Sequence, residues 1–250
     1  MRPVARTLDV DGMELTYGDG GPDDRPTLLL LHGLAARWQV FGPLLPPLLR
    51  DYHVIAPDLR GHGQSGRSPD GYRLGDFTAD VRGLLAERDE GPALVYGHSL
   101  GGWVGLCLAA EAPETVRGLV VADTAIYPEH IDPDFAVSYL ADMPITMRSM
   151  AKSLQQLDDA VMGSFRAGQL LADYDPDEVL TQIACPMLLL QADPAHDGLM
   201  NDADVERARA RVPGLRHVRF AGVGHALHIE DAAGVLEVVE PFLKACGGDE

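Results

Sequence analysis

Val95-Tyr96-Gly97-His98-Ser99-Leu100-Gly101-Gly102 is the stretch on which the fold turns. It reads G-x-S-x-G, with the apolar run Pro92-Ala93-Leu94-Val95-Tyr96 before it. Trp103-Val104-Gly105-Leu106-Cys107-Leu108-Ala109-Ala110 follows, a run of small and apolar residues suited to a buried helix. A serine between such a strand and such a helix sits on a sharp turn with its hydroxyl pushed outward. The turn holds the serine in a strained backbone conformation. Gly97 and Gly101 flank it because a Cβ at either place would collide with the crossing strand and helix. The turn also places the Leu100 N–H at a helix N-terminus, where it can stabilise an oxyanion. The plainer alternative is a glycine-rich turn with a solvated serine.

Working outward, the chain alternates strand-like and helix-like segments. Thr7–Val10 and Met13–Tyr17 read as short strands joined by Asp11-Gly12, a type I′ hairpin signal, with a loop over Gly18–Arg25. Thr27-Leu28-Leu29-Leu30-Leu31 is continuously apolar, as in a strand covered on both faces, and leads into His32-Gly33-Leu34. A helix carrying Trp38, Phe41, Leu44 and Leu45 follows, broken around Pro46-Pro47. His53–Ala56 is a strand, and Asp76–Glu87 is a helix with Phe77, Val81, Leu84 and Leu85 at helical spacing. Gly118–Ala122 is a strand that delivers Asp123 at its end.

From Thr124 to Ile183 the rhythm becomes helical and includes Met143, Met147, Met150 and Met162, which suit an adaptable apolar pocket. The sheet resumes with Pro186–Leu190. Asn201–Val212 reads as a helix and His217–Phe220 as a strand. A helix over Asp231–Ala245, bent or restarted near Pro241, closes the chain. This alternation predicts an α/β fold with a parallel sheet and helices on both faces. Residues 1–123 and 184–250 form the core, and residues 124–183 form a helical cap. In such sheets a ligand lies beyond the carboxyl ends of the strands, where Ser99, the His32 loop and Asp123 all fall.

Composition narrows the function classes. Of 250 residues, 46% are apolar, which excludes a disordered or fibrous chain. The formal net charge of −18 repels phosphate backbones and anionic bilayers, so neither nucleic acid nor a membrane is an expected partner. Cys107, Cys185 and Cys246 show neither a disulfide framework nor zinc spacing, and no metal is expected. Arg2 and Arg6 precede no apolar h-region, and no run reaches the roughly 20 apolar residues of a membrane helix. The expectation is a cytoplasmic monomer or homodimer.

A serine hydroxyl needs a positioned base, and histidine has a suitable pKa. His98 adjoins the serine but points away from it. His32 and His62 sit in tight glycine turns and read as structural. His225 follows Gly224 after the last strand, on the carboxyl edge, and is the expected base. His228 reads as a supporting or core residue. The imidazole needs a carboxylate to fix its tautomer, and Asp123, Asp193 and Asp197 all lie at strand ends. Each could instead cap a helix or a turn, so spacing leaves the choice open. Trp38, Trp103, Tyr127, Phe135, Tyr139 and Met143 are candidates for the substrate pocket.

His32-Gly33, Asp58-Leu59-Arg60-Gly61-His62-Gly63-Gln64-Ser65, Gly97-His98-Ser99-Leu100-Gly101-Gly102 and Gly224-His225 occur in this order. In this the chain resembles the α/β-hydrolase family over nearly its whole length. The resemblance implies a mostly parallel eight-stranded sheet with helices on both faces and a small helical cap. It implies Ser99 as nucleophile, His225 as general base, and an oxyanion hole made by the Leu34 and Leu100 N–H groups. Most members carry the acid after the seventh strand, in a loop resembling G-x-x-D. Counting Ala192 as that glycine, the position falls on Ala195, which cannot serve. Ala192-Asp193-Pro194-Ala195 looks instead like the branch that includes haloalkane dehalogenases, whose acid follows the sixth strand. That implies Asp123, with Asp193 as the alternative and Asp197 behind it. The expected activity is cofactor-free hydrolysis of a small hydrophobic ester or lactone. The same triad would also serve C–C bond hydrolysis, acyl transfer or perhydrolysis. A ligand sensor on the same fold is the reading from outside enzymology.

Overall fold

The structure, a computed structural model, describes residues 2–68, 71–131 and 153–248. Eight strands form one sheet: β1 (Val4–Val10), β2 (Met13–Gly20), β3 (Thr27–Leu31), β4 (His53–Pro57), β5 (Ala93–His98), β6 (Val116–Ala122), β7 (Met187–Ala192) and β8 (Arg216–Phe220). Their order is β1-β2-β4-β3-β5-β6-β7-β8. β2 is antiparallel to both β1 and β4, and every other pairing is parallel. The first hairpin turns through Asp11 (φ 51°) and Gly12 (φ 85°), the two positive φ values that a type I′ turn requires. The sequence predicts a loop from Gly18; β2 instead runs on to Gly20, where it pairs with β4.

Every residue of β3, β4, β5 and β7 is buried, which is why these strands read as unbroken apolar runs. Alternate residues serve opposite faces. Leu29, Leu31, Val95 and Val121 join one core with α2 (Leu74–Glu87) and α3 (Leu100–Glu111). Leu28, Leu30, Tyr96 and Val120 join the other, with α1 (Leu45–Asp51) and α8 (Ala232–Gly247). The remaining helices are α4 (Asp159–Arg166), α5 (Pro176–Gln182), α6 (Asp202–Arg209) and the single turn α7 (Leu227–Glu230). Between β6 and β7 the described residues form helices and turns without a strand, and α5 packs against α3. No helix among the described residues is long and apolar enough to cross a membrane.

Two proline expectations, a break at Pro46-Pro47 and a restart at Pro241, differ from the structure. Pro46 and Pro47 do not break a helix. They occupy the first turn of α1, where a missing N–H removes no hydrogen bond, after a separate 3₁₀ turn at Trp38–Phe41. The last helix is continuous through Pro241.

α3 is buried from Leu100 to Ala109 because its glycines admit close neighbours. A Cβ on Gly101 would strike the Leu31 carbonyl of β3, and one on Gly102 would strike Thr124 Oγ1. Gly75, in the first turn of α2, has open space where its Cβ would be. Gly101→Ala is therefore expected to lower stability by about 1–3 kcal/mol despite alanine's better helix propensity. Gly75→Ala is expected to raise it by about 0.5–1 kcal/mol. Urea denaturation of the two variants checks both signs.

Candidate active site

Ser99 ends β5 and begins α3 with φ 53° and ψ −118°, a conformation that L-residues rarely adopt. Holding it there costs on the order of 1–3 kcal/mol, supplied by the packing around it. The reason is steric: a Cβ on Gly97 would meet the Gly101 carbonyl, so strand and helix cross with only glycines between them. Thr124 Oγ1 donates to the Ser99 carbonyl at 3.0 Å and ties the turn to the segment after β6.

Asp123 follows β6 with φ 41° and is completely buried. Its carboxylate accepts four hydrogen bonds. The Ala192 N–H (3.1 Å) and Met200 N–H (3.2 Å) reach Oδ1, while the Leu199 N–H (2.8 Å) and the His225 ring at Nδ1 (2.7 Å) reach Oδ2. Because a carboxylate only accepts, Nδ1 of His225 carries the proton, which leaves Nε2 as the basic nitrogen. Gly224 N–H donates to Glu230 Oε2 at 2.8 Å, fastening the loop that carries His225 to α7.

The other two aspartates are engaged elsewhere. Asp193 caps the 3₁₀ turn Pro194–His196 by accepting from Ala195 N–H at 3.1 Å. It also accepts from Gly222 N–H at 2.8 Å and from the Arg219 guanidinium at 3.2 Å. These hydrogen bonds, the backbone amides first, hold its carboxyl well below the usual carboxylate range. Asp197 is exposed and ends that turn in the left-handed region, at φ 64°. Of the three strand-end aspartates, Asp123 alone meets the imidazole.

Ser99, His225, Leu34 and Leu100 line one cavity. Gly33 brings the loop after β3 against the serine: a Cβ there would lie 3.1 Å from Ser99 Cβ. Among the described residues, neither the Leu34 nor the Leu100 N–H donates a hydrogen bond. Ala35, the next residue, holds φ 59°, so the loop turns sharply there. His32, fully buried, donates from Nδ1 to the Gly33 carbonyl (2.8 Å) and accepts the Leu59 N–H at Nε2 (3.0 Å). Burial pushes it down to about 4, so it is neutral and structural. His62 is likewise buried and donates from Nδ1 to the Arg60 carbonyl at 2.9 Å.

The rest of the cavity wall is mostly apolar: Val40, Trp103, Ile131, Phe165, Leu199 and Ile229. Among the described residues it contains no Lys, Arg, Asp or Glu. Trp103 donates from Nε1 to the Ala125 carbonyl at 2.9 Å while presenting its ring to the cavity. Two candidates are corrected. Trp38 packs its ring on Gly18 of β2 and does not line the cavity. Tyr127 is held under the Arg207 guanidinium, 3.5 Å from the ring centre, with its hydroxyl donating to Asp177 at 2.8 Å. Phe135, Tyr139, Met143, Met147 and Met150 lie outside the described residues. Met162 is described and does not line the cavity.

His98 and His228 were placed near the site by the sequence, but their contacts were not. His98 donates from Nε2 to the His225 carbonyl at 2.8 Å, and both His98 and His228 border the cavity. The signal available was position alone, since a residue beside Ser99 must lie near the loop that brings His225 to the same cavity.

The profile of the alpha/beta hydrolase fold matches residues 26–177. The 2-(acetamidomethylene)succinate hydrolase of Mesorhizobium japonicum is 34% identical over 126 residues, 50% of this chain and 45% of that protein. The chain thus matches less than half the length of that relative. A hydrolase from Pseudomonas aeruginosa is 27% identical in sequence, with a TM-score of 0.81 over 96% of this chain and 98% of its own. The enol-lactonase of Burkholderia xenovorans shares the fold at 23% identity, with a TM-score of 0.82 over 96% of this chain and 100% of its own.

Asp193→Asn is expected to lower the melting temperature at pH 7 and to leave the cavity residues in place. A carboxyl whose pKa is lower in the folded state stabilises the fold above its unfolded pKa and ceases to do so as pH falls through the folded one. The gap between wild type and variant is therefore expected to narrow below about pH 4. Melting curves across that range check the sign. The profile match and the shared architecture together establish that this chain belongs to the α/β-hydrolase family.

Proposed function

We propose that this chain is a serine hydrolase that cleaves carboxylic esters or lactones of small hydrophobic molecules. The observation that carries the reading is the hydrogen bond from His225 Nδ1 to buried Asp123, beside a cavity lined by His225, Ser99 and two residues, Leu34 and Leu100, whose N–H groups have no partner among the described residues. Ser99 is the nucleophile. His225 takes its proton at Nε2, and Asp123 stabilises the resulting imidazolium. The carbonyl oxygen, negative in the tetrahedral intermediate, sits between the Leu34 and Leu100 N–H groups. Each donor of this kind is worth about 3–4 kcal/mol of barrier. His225 then protonates the leaving alkoxide, and the acyl group remains on Ser99 Oγ. A water deprotonated by His225 attacks that ester, and the acid leaves. In a lactone the leaving alkoxide is part of the acyl chain itself, so the second step releases a single hydroxy acid.

The cavity wall supports a neutral substrate. Among the described residues, the wall offers an anionic acyl chain no cation to replace its lost hydration. This separates the proposal from the acidic substrate in the name of the Mesorhizobium japonicum relative.

Hydrolysis of p-nitrophenyl butyrate tests the mechanism. Ser99→Ala is expected to abolish turnover while its melting temperature stays near wild type, and a fully active variant would end the proposal. Asp123→Asn is expected to lower kcat by about 10³–10⁴-fold, because an amide favours the wrong tautomer of the imidazole. Asp193→Asn is expected to keep kcat. For substrate class, p-nitrophenyl butyrate is expected to exceed the anionic p-nitrophenyl hemisuccinate in kcat/KM by more than about tenfold. Equal values would refute the neutral-substrate reading.

A further inference from the structure

His98 touches all three parts of the site without being any of them. It adjoins Ser99 in the chain. Its Nε2 donates to the backbone carbonyl of His225 at 2.8 Å, and its ring lies 4.5 Å from the His225 ring. On its other edge, a Cβ at Gly33 would lie 2.9 Å from His98 Nδ1, so the ring also abuts the loop that carries the Leu34 amide. His228 packs edge-on against it, with ring centres 4.6 Å apart.

We propose that His98 is a positioning residue: a buried strut whose Nε2–H fixes the backbone of His225 relative to Ser99 and the Gly33-Leu34 loop. The inference rests on the reading of Ser99 as nucleophile and His225 as base. The 2.8 Å bond is made to the main chain of His225, so it sets where the imidazole starts from. Asp123 sets only how that ring is oriented. The two bonds act on different parts of the residue, one on its main chain and the other on its ring.

Neutrality is part of the device. Burial holds His98 well below the ordinary histidine range, with the nearby His225 and His228 adding to the effect. Burial also pushes His228 down to about 3, again with help from His225. Neither competes for the proton that His225 takes from Ser99. In a neutral ring with Nε2–H committed to a carbonyl, Nδ1 carries no hydrogen. That lets it sit against the Gly33 backbone without an added atom.

The test uses the full chain with p-nitrophenyl butyrate and an alkyl fluorophosphonate that labels the nucleophilic serine. His98→Gln retains an N–H near the position of Nε2, and His98→Met retains bulk without a donor. His98→Met is expected to lower kcat by about 10–100-fold with KM within about twofold, since small misplacements of a catalytic group have effects of this size. It should slow fluorophosphonate labelling in parallel. His98→Gln is expected to recover most of that loss. A His98→Met enzyme within twofold of wild type in kcat, or a glutamine variant no better than methionine, overturns the proposal. Should both variants unfold, ¹⁵N-resolved histidine spectra of the wild type decide it. His98 must show the neutral Nε2–H form, and an Nδ1–H form overturns the strut. A wild-type enzyme that neither labels nor hydrolyses esters would instead remove the reading of Ser99, while the histidine spectra would still report on the hydrogen bond.

Discussion

The close crossing of β5, β3 and α3 at the serine is the constraint on which the site depends. Gly97 lies so near the first turn of α3 that no side chain fits between them, and Gly101 lies equally near β3. That contact forces Ser99 to a positive φ. The first N–H of α3 has no intrahelical acceptor, and among the described residues it has no other partner. One steric fact thus produces a projecting hydroxyl and, beside it, a hydrogen-bond donor. The unfavourable backbone is tolerated because α3 is buried along its length and the sheet beneath it is buried on both faces.

The carboxylate that meets the imidazole depends on a neighbouring loop. The segment after β7 carries Asp193 and Asp197, yet both serve the turn there. Here that segment supplies amides instead: Leu199 and Met200 N–H both point at Asp123, joined by Ala192 N–H from the end of β7. A fully buried carboxylate is costly unless its lone pairs are satisfied. These three amides and the imidazole satisfy them. Asp193 and Asp197, only a few residues away, serve the turn itself, one capping it and the other ending it. The positive φ of Asp123 aims its side chain at the amides and at His225.

The architecture was legible in the sequence because strands buried on both faces must be apolar throughout, and Thr27–Leu31, Ala93–Tyr96 and Met187–Leu190 are nearly so. The elbow was legible because its glycines are obligatory. Pro46-Pro47 misled because proline is hostile inside a helix but welcome in its first turn, and sequence alone does not say which turn the pair begins. The pocket was legible only in part. Trp103 lines it, whereas Trp38 and Tyr127 are aromatic for other reasons, a cover over Gly18 and a cushion for Arg207. Aromatic side chains fill cores and pockets alike, and only tertiary direction separates the two. Choosing among three aspartates needed the backbone amides, which have no letter in the sequence.

His98 illustrates the same limit from the other side. The elbow geometry turns it away from Ser99, which argues against a role as base, and to that extent the sequence reading is complete. What lies in the direction it turns depends on a loop 127 residues further along the chain. There it meets the one backbone carbonyl whose position governs the imidazole. His228 lies behind it against Phe41 and Tyr96, and among the described residues neither ring nitrogen has a hydrogen-bond partner. An orphaned buried nitrogen destabilises a fold by about 1–3 kcal/mol, so an apolar residue would pack there more favourably unless the ring's shape matters. The edge-on contact with His98 supplies that reason. That contact braces the His98 ring, which lies tilted at 40° to the His225 ring with ring centres 4.5 Å apart.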